Sequence, residues 1–326
     1  MNFMKKIVPA AIALAFAGAA QAQVSIYGLI DMSVGKNEVV DGKTAKTDIH
    51  SGGDDSQSQG NSTTRIGVKG SFDVDKDVKA HFKFETNGIT SNGAVNGPAF
   101  FNRQAWLGFS HTKMGEIRVG RQDSIPFQVM GAFDFNGQSN GATSAYSGVG
   151  VWATDRQSRS VQYISPEMSG FKAQVGYVPR GDNTDLRDAS TYDDNTRGVA
   201  SAAVTYSGIK NLVIGASHEG KKTLNGEDFN SVAASYDFGF LKAMAGYTDA
   251  GLNATGPTLG VTAPVAGFTM GAHVAQNKDT KAKALELFIN REIFKNTYAY
   301  AEALRLDNKA PAVDLNSYAV GVIFVF

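Results

Sequence analysis

From Arg65 to Phe72 the chain alternates between two kinds of residue: Arg65, Gly67, Lys69 and Ser71 fall on one face, and Ile66, Val68, Gly70 and Phe72 on the other. After the polar stretch Asp73 to Asp77 the alternation resumes, with Lys79, His81, Lys83 and Glu85 set against Ala80, Phe82 and Phe84. A period of two is the signature of a strand with unlike faces. Such runs recur near 23–35, 64–73, 78–88, 101–112, 116–122, 157–165, 171–179, 198–207, 211–220, 229–237, 241–249, 258–263, 267–276, 282–290, 297–306 and 316–326, which makes sixteen predicted strands. The connections differ in length. Val74–Asp77, Lys113–Gly115, Ser165–Gly170 and Asp237–Phe240 are short; Lys36–Thr63, Ile89–Phe100, Asp123–Arg156 and Arg180–Arg197 are long. A soluble sandwich explains the alternation but gives no reason for loops to sort by length. A membrane barrel does, with short turns at one rim, long loops at the other and an even strand count. The predicted fold is all-β: one domain over 23–326, a sixteen-stranded antiparallel transmembrane barrel.

The N-terminus reads as a cleaved signal peptide over 1–22. Lys5 and Lys6 precede an apolar run from Ile7 to Ala20, which ends on Ala20-Gln21-Ala22. That run is shorter than the roughly 20 residues a membrane-spanning helix needs. With no second apolar stretch of that length, membrane residence requires a closed barrel, since only helices and closed barrels satisfy the backbone in lipid. Residues 23–326 carry 29 basic and 31 acidic side chains, which excludes a strongly basic nucleic-acid binder. The absence of cysteine excludes thiol catalysis, cysteine-based zinc sites and iron–sulfur clusters. In the last run, Tyr318, Val320, Val322, Phe324 and Phe326 share one face, as a lipid-facing strand requires.

Several segments in order resemble the Gram-negative general porins, of the beta-proteobacterial type. They are Gln23-Val24-Ser25-Ile26-Tyr27-Gly28-Leu29-Ile30-Asp31, Ser62-Thr63-Thr64-Arg65-Ile66-Gly67-Val68-Lys69-Gly70, Asn102-Arg103-Gln104-Ala105-Trp106-Leu107-Gly108-Phe109, Val119-Gly120-Arg121-Gln122 and Val322-Ile323-Phe324-Val325-Phe326. The resemblance covers essentially the whole chain. It implies a homotrimer in the outer membrane, among its lipid and lipopolysaccharide, with one water-filled pore per subunit. It also implies a third long loop, here Asp123 to about Asp155, that folds inward and narrows the pore, and an assembly signal at Phe326 read by the barrel-insertion machinery.

The implied function is passive passage of small hydrophilic solutes and ions, filtered by pore size and by a transverse field between basic wall residues and acidic loop residues. Strand parity nominates Arg65, Lys69, Arg118 and Arg156 for the wall, and the resemblance adds Arg103. Ser158, Ser160 and Gln162 take the lumen side with Arg156. A charge facing lipid at the bilayer midplane costs about 2–4 kcal/mol, whereas one in a wet lumen stays hydrated. Arg159 and Arg121 have the opposite parity, and the resemblance places Arg121 near a subunit contact. On the loop, Asp134 is the first acidic candidate and Asp123 the second; the Pro-Glu-Phe-Gly stretch common in such loops is missing here. Tyr27, Trp106, Phe238, Phe240, Tyr298 and Phe326 are candidates for interfacial aromatic belts, with Trp106 and Phe72 candidates for burial between subunits. More anions than cations should pass, because the wall arginines outnumber the loop acids.

Other chemistry has little support. Gly137-Gln138-Ser139-Asn140-Gly141 matches a nucleophile pattern but lacks the strand–turn–helix setting that the motif needs. The histidines at 50, 81, 111, 218 and 273 lack metal-ligand spacing, and Asp54-Asp55 and Asp193-Asp194 read as solvated loop charge rather than cation sites. No enzymatic activity, cofactor or metal is expected. A substrate-selective porin for sugars or anions is the nearest alternative; a barrel enzyme or an adhesive barrel is further off.

Overall fold

The structure, a computed structural model, describes residues 23–55, 59–97, 99–137, 141–153, 155–179, 197–221, 226–251, 253–309 and 312–326. Residues 1–22, expected to be a signal peptide, and Asp193-Asp194 lie outside these residues, as does part of the 137–141 motif.

The described strands are β1 (Gln23–Asn37), β2 (Asp48–Ser51), β3 (Arg65–Asp73), β4 (Val78–Glu85), β5 (Gln104–His111), β6 (Gly115–Asp123), β7 (Arg156–Ile164), β8 (Phe171–Val178), β9 (Val199–Tyr206), β10 (Leu212–Glu219), β11 (Phe229–Asp237), β12 (Lys242–Asp249), β13 (Thr255–Val265), β14 (Phe268–Gln276), β15 (Lys283–Phe294), β16 (Thr297–Lys309) and β17 (Ala312–Val325). All pairings are antiparallel. β1 pairs with β17 from Leu29↔Val325 to Asn37↔Ser317 and with β3 from Gln23↔Ser71 to Leu29↔Arg65, so the sheet closes. Sixteen strands, β1 and β3–β17, form the barrel. The short β2 pairs with the far end of β1 (Met32↔Ser51 to Gly35↔Asp48), inside what the sequence presents as a plain loop. Backbone bonds from Gly28 N to Phe326 O (3.0 Å) and from Phe326 N to Gly28 O (3.1 Å) seal the seam.

Alternation gives the barrel two unlike faces. Val119, Leu259, Val261, Val274, Leu287, Val320 and Val322 are exposed on the outside, while Gln122, Gln162, Thr258, His273, Glu286 and Glu302 on the opposite face are buried. Tight turns at one rim require unusual backbone: Ala266 (φ 52°) and Gly267 (φ 82°) join β13 to β14 in two residues, the primed-turn geometry that matches strand twist. Leu259, 53 % exposed near the middle of β13, tests the outer face. Leu259→Arg should lower unfolding stability in lipid vesicles by about 2–4 kcal/mol, while Leu259→Met should cost under about 1.5 kcal/mol; urea titration of the refolded barrel checks both.

The last three strands, β15, β16 and β17, run for 12, 13 and 14 residues, past the charges that bound the predicted runs. Arg291, Asp307, Lys309 and Asp314 sit in regular ladder positions, and Arg305 meets Asp314 across the β16–β17 pair at 3.0 Å. Charge is compatible with a strand wherever the sheet faces water.

The most buried apolar residues belong to the segment joining β6 to β7. Ile125, Phe127, Val129, Met130, Phe133, Ala145, Tyr146, Val149 and Val151 are all nearly inaccessible. This segment includes a helix Ile125–Met130, started by the Ser124 hydroxyl accepting from Phe127 N (3.1 Å), with Pro126 in its first turn, and a short helical turn Ala145–Gly148. Its apolar residues pack on barrel side chains of the face opposite to the exposed band. Ala145, Val149 and Val151 meet Ala275, Ala284, Leu304 and Leu306; Val129, Phe133 and Tyr146 meet Ala233 and Met244. That explains why certain inward positions of β11, β12 and β14–β16 (Ala233, Met244, Ala275, Ala284, Leu304, Leu306) are apolar although the expectation for a lumen is polar.

Candidate functional site

On the inner face of β1, β3 and β4, just before the start of β5, one carboxylate gathers several cations. Glu85 Oε1 accepts from Arg103 Nε (2.9 Å), while its Oε2 accepts from Tyr27 OH (2.8 Å) and lies 3.3 Å from Lys83 Nζ and 3.9 Å from Arg65 Nε. Register explains the cluster: Lys83 and Glu85 share the inward parity of β4, and Gly67 stands opposite both Tyr27 and Glu85. A Cβ at position 67 would strike the Tyr27 ring, so glycine there lets the ring cross toward Glu85. Arg65 is further held by Thr63 O (2.8 Å), and Arg103 reaches Thr63 Oγ1 (3.4 Å). From the next wall section, Arg156 meets Asp123 (3.2 Å) and Asp155 (3.5 Å) and stacks over Phe127 at 5.6 Å. Asn61, Ser62, Arg65, Lys83, Glu85, Arg103, Gln104, Asp123 and Gly137 line a cavity of about 340 Å³. Of the segment that joins β6 to β7, Gly137 borders this cavity.

A second constellation lies behind the segment, on the far wall. Asn136 Nδ2 donates to Glu286 Oε1 (2.7 Å) and Glu302 Oε2 (3.0 Å), and Asn61 Nδ2 also donates to Glu302 Oε2 (2.7 Å). Asp31 accepts from Tyr300 OH (2.7 Å) and from the backbone of Asn61 (2.8 Å) and Ser62 (2.7 Å). His273 Nδ1 is 3.2 Å from Glu286 and 3.8 Å from Asp134, and its Nε2 accepts from Phe135 N (3.2 Å). Two loops and the barrel wall are thus tied through carboxylates.

Asp134 belongs to this second group, which corrects its expected place opposite the arginines. Its side chain is 2 % exposed and directed at His273 and Glu286. Burial pushes its carboxyl up from 3.8 to about 7, with the Glu286 charge adding to the rise and His273 opposing it. The raised value means the folded protein holds a proton that the unfolded chain has released. The associated stability is full below about pH 4 and is lost as pH rises through about 7. Asp134→Asn should therefore flatten the fall in thermal stability between about pH 4 and 7; an unaltered slope would place the titration elsewhere.

The remaining nominated residues divide. Arg65, Arg103, Arg156 and Asp123 come together. Lys69 points to the same interior but into a separate recess lined by Tyr27, Lys83 and Trp106, and Arg118 pairs with Glu116 and stacks over Trp106 at 4.7 Å. Neither joins the arginine cluster. Trp106 and Tyr27 are corrections too. Both face inward, Trp106 opposite Lys83 and Gly120 and only 9 % exposed, so neither belongs to an outer aromatic belt. Tyr298 is exposed but shares the parity of the inward Tyr300, whereas Phe238, Phe240 and Phe326 are exposed as expected. Ser158 is displaced from its expected inward position by a bulge: two residues, Ser158 and Arg159, oppose Arg121, and Arg159 takes φ 52°. Arg121 donates to Ser158 Oγ (2.8 Å) and to Asn102 O. The neighbouring Gly120 (φ 136°) leaves no space for a Cβ against Ala105 and Trp106. Asp54 and Asp55 spend their oxygens on Ser51, Ser91 and Gln59. Glu85 and Lys83, central to the site, are visible in the sequence only as inward members of an alternating run; Asp31, Glu286 and Glu302 carry no signal beyond parity.

A closed barrel with an apolar outer band and a charged interior cavity defines a membrane channel. The chain belongs to the Gram-negative porin family, whose profile matches residues 10–311. An outer membrane porin protein of Bordetella pertussis is 29 % identical over 80 % of this chain and 74 % of that protein. Outer membrane porin protein 32 of Delftia acidovorans is 28 % identical over 98 % of this chain and 94 % of that protein. The fold matches the solved anion-selective porin from Comamonas acidovorans with a TM-score of 0.74, at 21 % identity, covering 94 % of this chain and 100 % of that one. The protein is thus an outer-membrane diffusion channel of the porin type.

Proposed function

We propose that this channel is a general diffusion pore for small hydrophilic solutes and ions, with its constriction between the basic wall and the 124–155 segment, and with a preference for anions. The observation that carries the reading is the grouping of Arg65, Lys83, Arg103 and Arg156 around Glu85 and Asp123 on one side of an open cavity. The acids of the far wall are turned away from it, under the segment and among amide donors. A passing ion meets net positive charge, and the field acts at short range where the channel walls limit screening. Asp134 in this reading anchors the segment and does not line the aperture.

The same proposal includes cleavage after Ala22, a homotrimer surrounded by outer-membrane lipid and lipopolysaccharide, and recognition of the strand ending at Phe326 by the insertion machinery. An apolar outer groove formed by Met32, Val34, Ile49, Ala299, Val320 and Val322 supports burial of this side of the barrel against another apolar surface. Passive transport requires no catalytic group, and the charged residues gathered at the cavity serve as a filter. Liposome swelling with sugars of rising size tests the general-pore reading. Uptake should fall smoothly with solute size, without saturation. Rapid, saturable uptake of one sugar alone would replace it with a substrate-selective channel.

A further inference from the structure

Lys69 and Lys83 are direct cross-strand partners on β3 and β4, both on the inner face. Like charges so placed destabilise a sheet pair. Lys83 shares Glu85 with three other donors. Lys69 has no carboxylate within ion-pair distance among the described residues; its ammonium sits 4.9 Å above the Tyr27 ring, over which Lys83 also leans at 5.6 Å. Trp106 stands opposite Lys83 on β5 and closes the other side. These four side chains, with His81, Ser25 and neighbouring residues, line a recess of about 420 Å³, within the size range of small-molecule sites. It adjoins the arginine cluster through Tyr27 and Lys83, which both reach Glu85, and extends along β3 from there toward the rim of short turns.

We propose that this recess is a binding site for a carboxylate that carries an aromatic or apolar body. The carboxylate would lie between the two ammonium groups and relieve their repulsion. Its body would lie against the Tyr27 ring and the edge of Trp106 that Arg118 and His81 leave open. A small hydrated anion would meet the ammonium groups without covering the Tyr27 ring or the exposed edge of Trp106, so the aromatic acid is favoured over acetate. The site is shallow, and an affinity of about 1 mM is the scale expected. Such weak retention allows passage, because a channel site must also let its solute go. The inference rests on the anion-favouring reading of the pore and adds a solute class and a second station to it.

Benzoate is the probe. In planar bilayers, sodium benzoate should reduce the chloride current saturably, half-maximally at about 1–10 mM, whereas acetate should give no saturation in that range. Lys69→Gln should raise the half-effect about tenfold or more, and Trp106→Leu should weaken benzoate without changing the response to acetate. Trp106 and Trp152 are the two tryptophans, so Trp152→Phe leaves Trp106 as sole reporter, and benzoate should change its fluorescence saturably over the same range. This titration needs no substitution in the recess and decides the proposal if Lys69→Gln fails to insert. Unsaturable block, or saturation unaltered by Lys69→Gln, overturns the site. A reversal potential of the cation-preferring sign instead overturns the selectivity reading beneath it, while the fluorescence titration still reports separately on the recess.

Discussion

Replacing Arg65 and Arg103 together by glutamine should lower the anion-to-cation permeability ratio by about tenfold. At about 8 Å, one unit charge acts on a passing ion with about 0.5 kcal/mol at the dielectric constant of water and about 2 kcal/mol at an effective value of 20. Two charges removed at the lower end of that range change the anion by about 1 kcal/mol and the cation by as much in the opposite sense, and salt screening brings this difference down to about 1.4 kcal/mol, one factor of ten. Glu85, left with Lys83 and Tyr27, would then add attraction for cations. The double lysine variant should retain most of the preference, because charge rather than fork geometry sets a selectivity field. Reversal potentials in a salt gradient read both. Unchanged selectivity in the glutamine variant would place the filter away from this wall.

The second large effect concerns the segment between β6 and β7. Phe133 and Tyr146 are almost wholly buried against Ala233 and Met244, and Tyr146 OH donates to Phe133 O (3.1 Å). Truncating a buried aromatic costs about 3–5 kcal/mol, which the strands do not share because their ladders are separate. Phe133→Ala with Tyr146→Ala should therefore release the segment and leave the barrel closed. Larger sugars should enter proteoliposomes, and single-channel traces should become noisier, while the heat-modifiable gel shift of the barrel persists. An unaltered size limit would show that the segment is not the constriction.

Particular residues show what alternation can and cannot reveal. Arg65 reads inward from Ile66 and Val68 alone, and its partner Glu85 is in view on the next run by the same logic. Tyr27 and Trp106 go astray when aromatic character is weighted over parity: Tyr27 alternates with Ile26 and falls in step with Asp31, and Trp106 alternates with Leu107 and falls in step with Gln104. Parity fails outright at Ser158, where the bulge opposite Arg121 inserts a residue without any sequence mark. The strand β2 hides in a polar loop because it pairs with a single neighbour and needs no hydrophobic face. The far-wall carboxylates illustrate a deeper limit. Asp31, Asp134, Glu286 and Glu302 lie far apart in sequence. Their meeting depends on barrel closure together with the path of a segment whose docking surface, including Leu304, Leu306 and Met244, looks like ordinary strand residues. Asp134 reads as an exposed loop charge because nothing local records that Asn136, two residues on, reaches Glu286 and Glu302.

Single-channel recording of the wild-type protein in a planar bilayer, under a potassium chloride gradient, is the most direct test of an anion-favouring porin. Large ohmic openings should arrive in groups of three equal steps, with a reversal potential of the sign set by chloride. Absence of conductance, or a reversal potential set by potassium, would contradict it.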